Sequence, residues 1–285
     1  MSGSPPLNPL PQAGGEVRRA LADAAGLFAS VSETPRLDAE LLMAHALGVT
    51  REALLLHHLD DPAPESFAPL VARRLNHEPI AYITGTRAFW TIELQVGPGV
   101  LVPRADSETL IEAAAEHFTG RAPATILDLG TGPGTLLLAA LDQWPGATGL
   151  GVDASPEALA YARANADRLG MTTRARFEGG DWAADVTGRF DLILANPPYI
   201  GTGEALPSEV CDHEPPGALF AGADGLDAYR IIAPQLPRLM APGGAAILEI
   251  GATQAEPVTA LLTAQGLSVV LRHDLGGNPR ALVAT

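Results

Sequence analysis

Thr125-Ile126-Leu127-Asp128-Leu129-Gly130-Thr131-Gly132-Pro133-Gly134 is a short apolar run closed by three alternating glycines, with a second apolar stretch behind it at 136–141. The run has the length and composition of a strand buried on both faces, and the stretch behind it reads as a helix. Between them the glycines let the backbone approach a ligand with no Cβ in the way. The helix offers its positive amino end at the same place. The spacing is G-x-G-x-G, and Thr135 stands where the dinucleotide pattern needs its last glycine, so no pyrophosphate fingerprint is complete. A tight turn that holds no ligand is the other reading.

The same alternation continues downstream. Residues 148–152, 175–178, 191–195, 245–250 and 267–271 read as strands with helical stretches between them, which implies a mainly parallel sheet with right-handed crossovers. Ser155-Pro156-Glu157 is a helix entry, with serine as cap and proline in the first turn. Asp153, closing the second strand, is placed either to accept hydrogen bonds from two ribose hydroxyls or to cap the Ser155 turn. Asp181-Trp182 follows the third strand, where the indole either flanks a purine or fills the core. After the fourth strand stands Asn196-Pro197-Pro198-Tyr199. Its prolines cannot continue a ladder, so Asn196 falls at the strand's carboxyl end, the edge where open α/β sheets bind ligands. A carboxamide, fixed backbone carbonyls and an aromatic face suit a planar amide or amino nitrogen. As a bare dipeptide pattern the motif is also an ordinary turn. Residues 200–222 lack periodicity and read as a functional lid, with His213 and Glu214 read as surface polar residues or lid contacts in preference to catalytic groups.

On the other side of the glycine loop the pattern is helical. Val17, Leu21, Ala24 and Phe28 recur at helical spacing, as do Leu37, Leu41, Leu42 and Ala46 ahead of Gly48, and Phe67, Leu70, Val71 and Leu75. Short strands are expected at 88–96 and 100–102 around Gly97-Pro98-Gly99. The expected division is a flexible tail over 1–15, a helical domain over 16–86, a β-hairpin linker over 87–105 and an α/β domain over 106–285.

Composition narrows the function. The 285 residues carry 33 acidic groups against 18 basic ones, a net charge of −15, and every basic residue is arginine. Seven arginines face 11 acids before residue 100, and 11 face 22 after it. With no clustered positive charge, duplex nucleic acid is a poor partner, and a basic protein suits the field better. No apolar run spans a bilayer and no signal pattern opens the chain, so a soluble cytoplasmic protein is expected. The single Cys211 reads as a buried or inert thiol, and no metal-ligand cluster is visible.

Together the glycine loop, Asp153, Asp181-Trp182 and Asn196-Pro197-Pro198-Tyr199 resemble the class I S-adenosylmethionine-dependent methyltransferases. More closely, the chain resembles the bacterial enzymes that methylate a glutamine side-chain nitrogen of peptide chain release factors. The likeness includes Leu37-Asp38-Ala39-Glu40-Leu41-Leu42, Pro79-Ile80-Ala81-Tyr82-Ile83-Thr84-Gly85, Phe89-Trp90, Leu101-Val102-Pro103-Arg104 and Asp106-Ser107-Glu108. Departures are His213 before Glu214-Pro215, Ala105 in place of a proline, and the loose match at Gly276-Gly277-Asn278-Pro279-Arg280. The resemblance implies a Rossmann-like, seven-stranded, mainly parallel sheet with a small N-terminal helical bundle that docks the protein substrate. It implies that Gly130, Thr131, Gly132, Pro133 and Gly134 wrap the amino-acid part of S-adenosylmethionine, which leaves as S-adenosylhomocysteine. Asp153 is implied to hold the ribose, and Asp181 and Trp182 to flank the adenine. Asn196, Pro197, Pro198 and Tyr199 are implied to receive the glutamine, with Asn196, Pro197 and Tyr199 as the catalytic groups and no metal. The implied partner is a release factor, and the implied outcome is adjusted translation termination. The alternatives are a ribosomal-protein glutamine methyltransferase and an adenine- or cytosine-directed nucleic-acid methyltransferase, which would use the same grip on a flipped or unpaired base.

Overall fold

The computed structural model describes residues 16–285, and the tail expected over 1–15 lies outside the described residues. The chain clusters into two compact units. One runs up to Gly85 and takes in Pro207–His213; the other combines Thr86–Leu206 with Glu214–Thr285.

The first unit is helical. Helix α1 (Val17–Phe28) buries Val17, Leu21, Ala24 and Phe28, the stripe that periodicity picks out. Helix α2 (Pro35–Leu47) opens with proline in its first turn and ends at Gly48, whose φ of 67° lets its N–H reach back to the Ala44 and His45 carbonyls. The inward face of α2 differs from the expected stripe. Leu37 is exposed and Leu41 half-buried, while Ala39, Leu42 and Met43 turn inward with two carboxylates, Asp38 and Glu40. Ion pairs explain this. Glu40 accepts from Arg36 Nε at 2.6 Å and Arg51 Nε at 2.8 Å, and Asp38 accepts from Arg74 Nε at 2.8 Å. Buried Arg74 also meets Glu209 at 2.8 Å. A buried carboxylate held by a guanidinium avoids most of the cost of an unpaired one. Helices α3 (Arg51–His57), α4 (Phe67–Leu75) and α5 (Ile80–Thr84) complete the bundle, with Thr50 capping α3 by accepting the Ala53 N–H at 3.1 Å.

The second unit opens with an antiparallel hairpin of β1 (Thr86–Phe89) and β2 (Ile92–Gln95). The sequence signal misplaced its turn. The chain reverses at Trp90-Thr91, where Trp90 takes a φ of 54° and donates its N–H to Glu108 at 2.8 Å. Gly97-Pro98-Gly99 forms a turn, closed by the Val100 N–H to the Gly97 carbonyl at 3.4 Å, but it joins no two strands, because residues 100–102 form none.

Then follow α6 (Glu108–His117), β3 (Thr125–Leu129), α7 (Thr135–Gln143), β4 (Thr148–Asp153), α8 (Pro156–Arg168), β5 (Ala175–Gly179) and β6 (Phe190–Ala195). The short α9 (Ser208–Cys211) belongs to the helical unit. Helices α10 (Asp227–Ile232) and α11 (Leu236–Leu239), β7 (Met240–Glu249), α12 (Ala255–Thr263), β8 (Val269–His273) and β9 (Pro279–Ala284) close the chain.

The seven strands lie in the order β5-β4-β3-β6-β7-β9-β8, with β5 through β7 parallel and β9 antiparallel to both of its neighbours. Strand β9, absent from the sequence reading, is inserted because Asp274 closes a hairpin: its carboxylate accepts the Asn278 N–H at 2.9 Å while its own N–H reaches the Asn278 carbonyl. The chain order reverses beside β3, flanked by β4 and β6, and this opens a crevice at the carboxyl ends of those strands.

Candidate active site

The glycine loop is built as its composition demands. Gly130, Gly132 and Gly134 have φ of 72°, 56° and 87°, a region L side chains rarely occupy. The N–H groups of Gly130 and Thr131 both donate to the Val152 carbonyl, at 2.8 and 3.0 Å, tying the loop to the end of β4. A Cβ on Gly130 would stand 3.3 Å from the Trp182 ring, and one on Gly134 would press on Leu138 at 2.8 Å. Beneath the loop, buried Asp128 accepts from the Thr131 hydroxyl at 2.6 Å and the Leu137 N–H at 3.2 Å, while its Oδ1 has no partner. Burial pushes the Asp128 carboxyl up to about 7, against those two hydrogen bonds and with Asp153 adding to the rise.

Asp153 combines two uses left open by the sequence. One oxygen accepts the Ser155 N–H at 2.8 Å and the other the Gly132 N–H at 2.8 Å, so the acid joins the glycine loop to the α8 entry. Both oxygens keep a lone pair for a ligand. Ser155 caps α8 as read, accepting the Ala158 N–H at 3.1 Å. Trp182, half-buried with a φ of 50°, packs on the core and lines the crevice, and exposed Asp181 stands beside it.

At the end of β6, Asn196 donates Nδ2–H to the Ser107 hydroxyl at 3.2 Å, which leaves its carboxamide oxygen unused by that bond. Tyr199 donates its hydroxyl to Glu249 at 3.3 Å, and its carbonyl accepts from Gln254 at 2.8 Å, so its ring is anchored at both ends. Burial raises the Tyr199 hydroxyl well above its usual range, with Glu249 adding to the rise. The prolines therefore end the strand as expected, while the next residue's side chain is tied into the core.

These groups share a cavity of about 330 Å³. Gly130, Thr131, Gly132, Pro133, Asp153, Asp181, Trp182, Asn196 and Pro198 line it; Gly134, Pro197 and Tyr199 do not. The lining includes Asp128, Asp153, Glu157 and Asp181 against one cation, Arg104. That balance favours a ligand with positive charge and opposes a pyrophosphate. Arg104 is itself engaged by buried Glu214 at 2.5 Å, and Glu214 also accepts the Val102 N–H at 3.3 Å. Glu214 thereby ties down the segment whose Pro215, Gly217 and Ala218 line the cavity. His213 meets the Asn76 carbonyl at 3.1 Å within the helical unit. Cys211 is exposed, so the buried reading of it is corrected: it ends the one-turn α9 and buries no side chain there.

The sequence reading assigned no role to Ser107, Arg104, Asp128 or Glu249. Glu249 carried a signal, an acid inside the apolar run 245–250, where an unexplained charge points to a site. Among the described residues no group of three or more His, Cys, Asp or Glu is arranged to hold a metal ion. None of their helices is long and apolar enough to cross a membrane.

Residues 19–85 match a family model described as the PrmC N-terminal domain, and residues 122–264 match one described as a methyltransferase domain. A release factor glutamine methyltransferase of Rhodospirillum rubrum is 47% identical over 258 residues, spanning 88% of this chain and 79% of its own. One from Caulobacter vibrioides is 43% identical over 258 residues, spanning 88% and 89%. Among solved structures, a methyltransferase from Pyrococcus furiosus superposes with a TM-score of 0.52 at 19% identity, over 75% of this chain and 95% of that one. A 16S rRNA methyltransferase of Thermus thermophilus, solved with S-adenosylmethionine and guanosine, gives a TM-score of 0.51 at 21% identity, over 70% and 49%. These two structures bear on the fold alone.

Proposed function

The chain belongs to the release factor glutamine methyltransferase family, and from that premise we propose how its residues methylate the side-chain amide of a release-factor glutamine. The methyl donor we assign is S-adenosylmethionine. The crevice fits it on three counts: a glycine cradle that any Cβ would strain, four acids for a ligand with two positive centres, and an unpartnered Asp128 oxygen beneath the loop. Gly130 through Gly134 would hold its amino-acid part, Asp153 its ribose hydroxyls, and Asp181 with Trp182 its adenine. When bound, its sulfonium supplies an electrophilic methyl group.

An amide nitrogen is a weak nucleophile because its lone pair is delocalised into the carbonyl, so placement carries the burden. We assign the two substrate N–H groups to the Asn196 carboxamide oxygen and the Pro197 carbonyl. Those acceptors hold the nitrogen in line and stabilise the positive charge that develops on it. Tyr199, pinned by Glu249 and Gln254, would present its ring to the flat amide. The observation that carries this reading is the Asn196–Ser107 hydrogen bond, which commits the amide nitrogen of Asn196 to the protein and frees the oxygen for a donor. The helical unit, which spans the N-terminal family match, is our candidate for docking the factor. The acidic chain, with a net charge of −15, supports a basic protein surface over duplex nucleic acid.

The test is incubation with methyl-labelled donor and a release factor, followed by peptide mapping. Label on one glutamine is expected. Label on DNA or on a ribosomal protein, with none on the factor, refutes the substrate assignment.

A further inference from the structure

The cavity wall is built from the glycine loop and from the segment that leaves the β1–β2 hairpin, and one buried side chain joins the two. Asn165, in the third turn of α8, is 0% exposed and lines no part of the cavity. Its Oδ1 accepts the Gln95 N–H at 2.6 Å. Its two amide hydrogens go to the Gln95 carbonyl at 3.0 Å and the Pro133 carbonyl at 2.9 Å. Pro133 belongs to the glycine loop and lines the cavity. Helix α7 does not serve its carbonyl, because the Leu137 N–H goes to Asp128 and the Leu138 N–H to Gly134. Gln95 ends β2, and the segment it opens reaches the same cavity with Gly99, Val100, Leu101, Pro103 and Arg104.

Asn165 is one rung of a ladder. Glu157, Tyr161, Asn165 and Arg168 follow at steps of four, four and three, which places them on one face of α8. They meet residues 99, 97, 95 and 93 in turn. Arg168 donates to the Glu93 carbonyl and pairs with its carboxylate at 3.3 Å. A Cβ on Gly97 would collide with the Tyr161 hydroxyl, and one on Gly99 would meet Glu157 at 3.5 Å. Four helical residues rise about 6 Å and two residues of strand about 6.7 Å. From Glu93 to Gly97 the strand therefore keeps step with the helix it runs against.

We propose that Asn165 is a positioning residue for the methyl donor: it fixes the Pro133 carbonyl of the glycine loop to the hairpin exit, so that two parts of the donor site hold one spacing. A carboxamide suits the task because it offers one acceptor and two donors in a rigid plane. Its neighbours present one N–H and two carbonyls, the complement of that set. Asn165 acts through Pro133 and stands outside the cavity itself. This rests on the reading that the glycine loop holds S-adenosylmethionine.

The experiment is the donor Kd by calorimetry, alongside kcat at saturating donor for the full chain with a release factor. Asn165→Ala is expected to raise the Kd about tenfold, the effect of one lost orienting hydrogen bond. Its kcat at saturating donor should stay within about twofold, because Asn196 and the turn after it are untouched. Asn165→Asp keeps the volume and reverses the polarity, setting an oxygen against the Gln95 and Pro133 carbonyls. Near pH 8 its Kd should rise further than that of the alanine variant. A side chain that only filled space would give the opposite order, with aspartate the milder change. An unchanged Kd in Asn165→Ala, a kcat that falls along with affinity, or an aspartate milder than alanine overturns the proposal. Should Asn165→Asp fail to fold, the split between Kd and kcat in Asn165→Ala decides alone. A wild type that binds no donor overturns the functional reading and this one with it; a wild type that binds, with variants that bind equally well, overturns this one only.

Discussion

The helical unit and the crevice of the sheet unit both bury carboxylates, and they treat them in opposite ways. In the helices, Glu40 sits between Arg36 and Arg51, and Asp38 meets Arg74, which also takes Glu209. Burial alone would raise the Glu40 carboxyl, but its two guanidinium partners outweigh that and hold it below the usual range. At the crevice, Asp128 and Glu249 receive only hydroxyl and backbone donors, each keeps an oxygen without a partner, and both rise to about 7. Paired acids serve the scaffold, because a neutralised charge can be buried and forgotten. Unpaired acids cost stability and persist where a charge is put to use.

Three substitutions sharpen or break that contrast. Arg74→Ala strips the cation from Asp38 and Glu209 and is expected to cost about 3–5 kcal/mol, the usual penalty for halving a buried pair. Denaturant unfolding measures it, and a loss below about 1 kcal/mol would show that the pair behaves like an exposed one. Asn196→Ala removes the proposed acceptor without touching a charge. Its kcat is expected to fall about 10²–10³-fold with donor affinity nearly intact, and unchanged turnover would remove Asn196 from the mechanism. Asp128→Asn keeps the shape and deletes the ionisation. Because the folded-state value of Asp128 lies above the unfolded one, its contribution to stability is full below the ordinary carboxylate range and is lost as pH rises through about 7. The asparagine variant should therefore gain about 1–2 kcal/mol on the wild type near pH 8 and little near pH 4. Melting curves at the two pH values check this, and a gap that does not vary with pH places the cost of Asp128 elsewhere.

The legible parts of the molecule were those settled by neighbours in the chain. Residues 125–129 read as β3 to the residue, because a continuous apolar run has no stable place but a buried strand and the glycine behind it ends the ladder. Ser155 was readable as a cap for the same local reason. The hairpin turn was not: Gly97-Pro98-Gly99 has the better turn composition, yet Trp90 takes the strained φ because Glu108 accepts its N–H from 18 residues away. Leu37 failed as a core residue because arginines on α3 and α4 make the charged flank of α2 the inner one. Strand β9 went unseen because its place between β7 and β8 depends on a hairpin closed by the Asp274 carboxylate.

The same division runs through the site. Residue order and spacing carried the glycine loop, the acid after β4 and the Asn-Pro-Pro-Tyr strand end, since backbone conformation and strand ends are local properties. Folding alone decided that the Asn196 carboxamide nitrogen bonds to Ser107 and which acids stay unpaired. Those outcomes depend on Ser107, Tyr199 and Glu249, which lie far apart in the chain and share hydrogen bonds only once the sheet has closed around them.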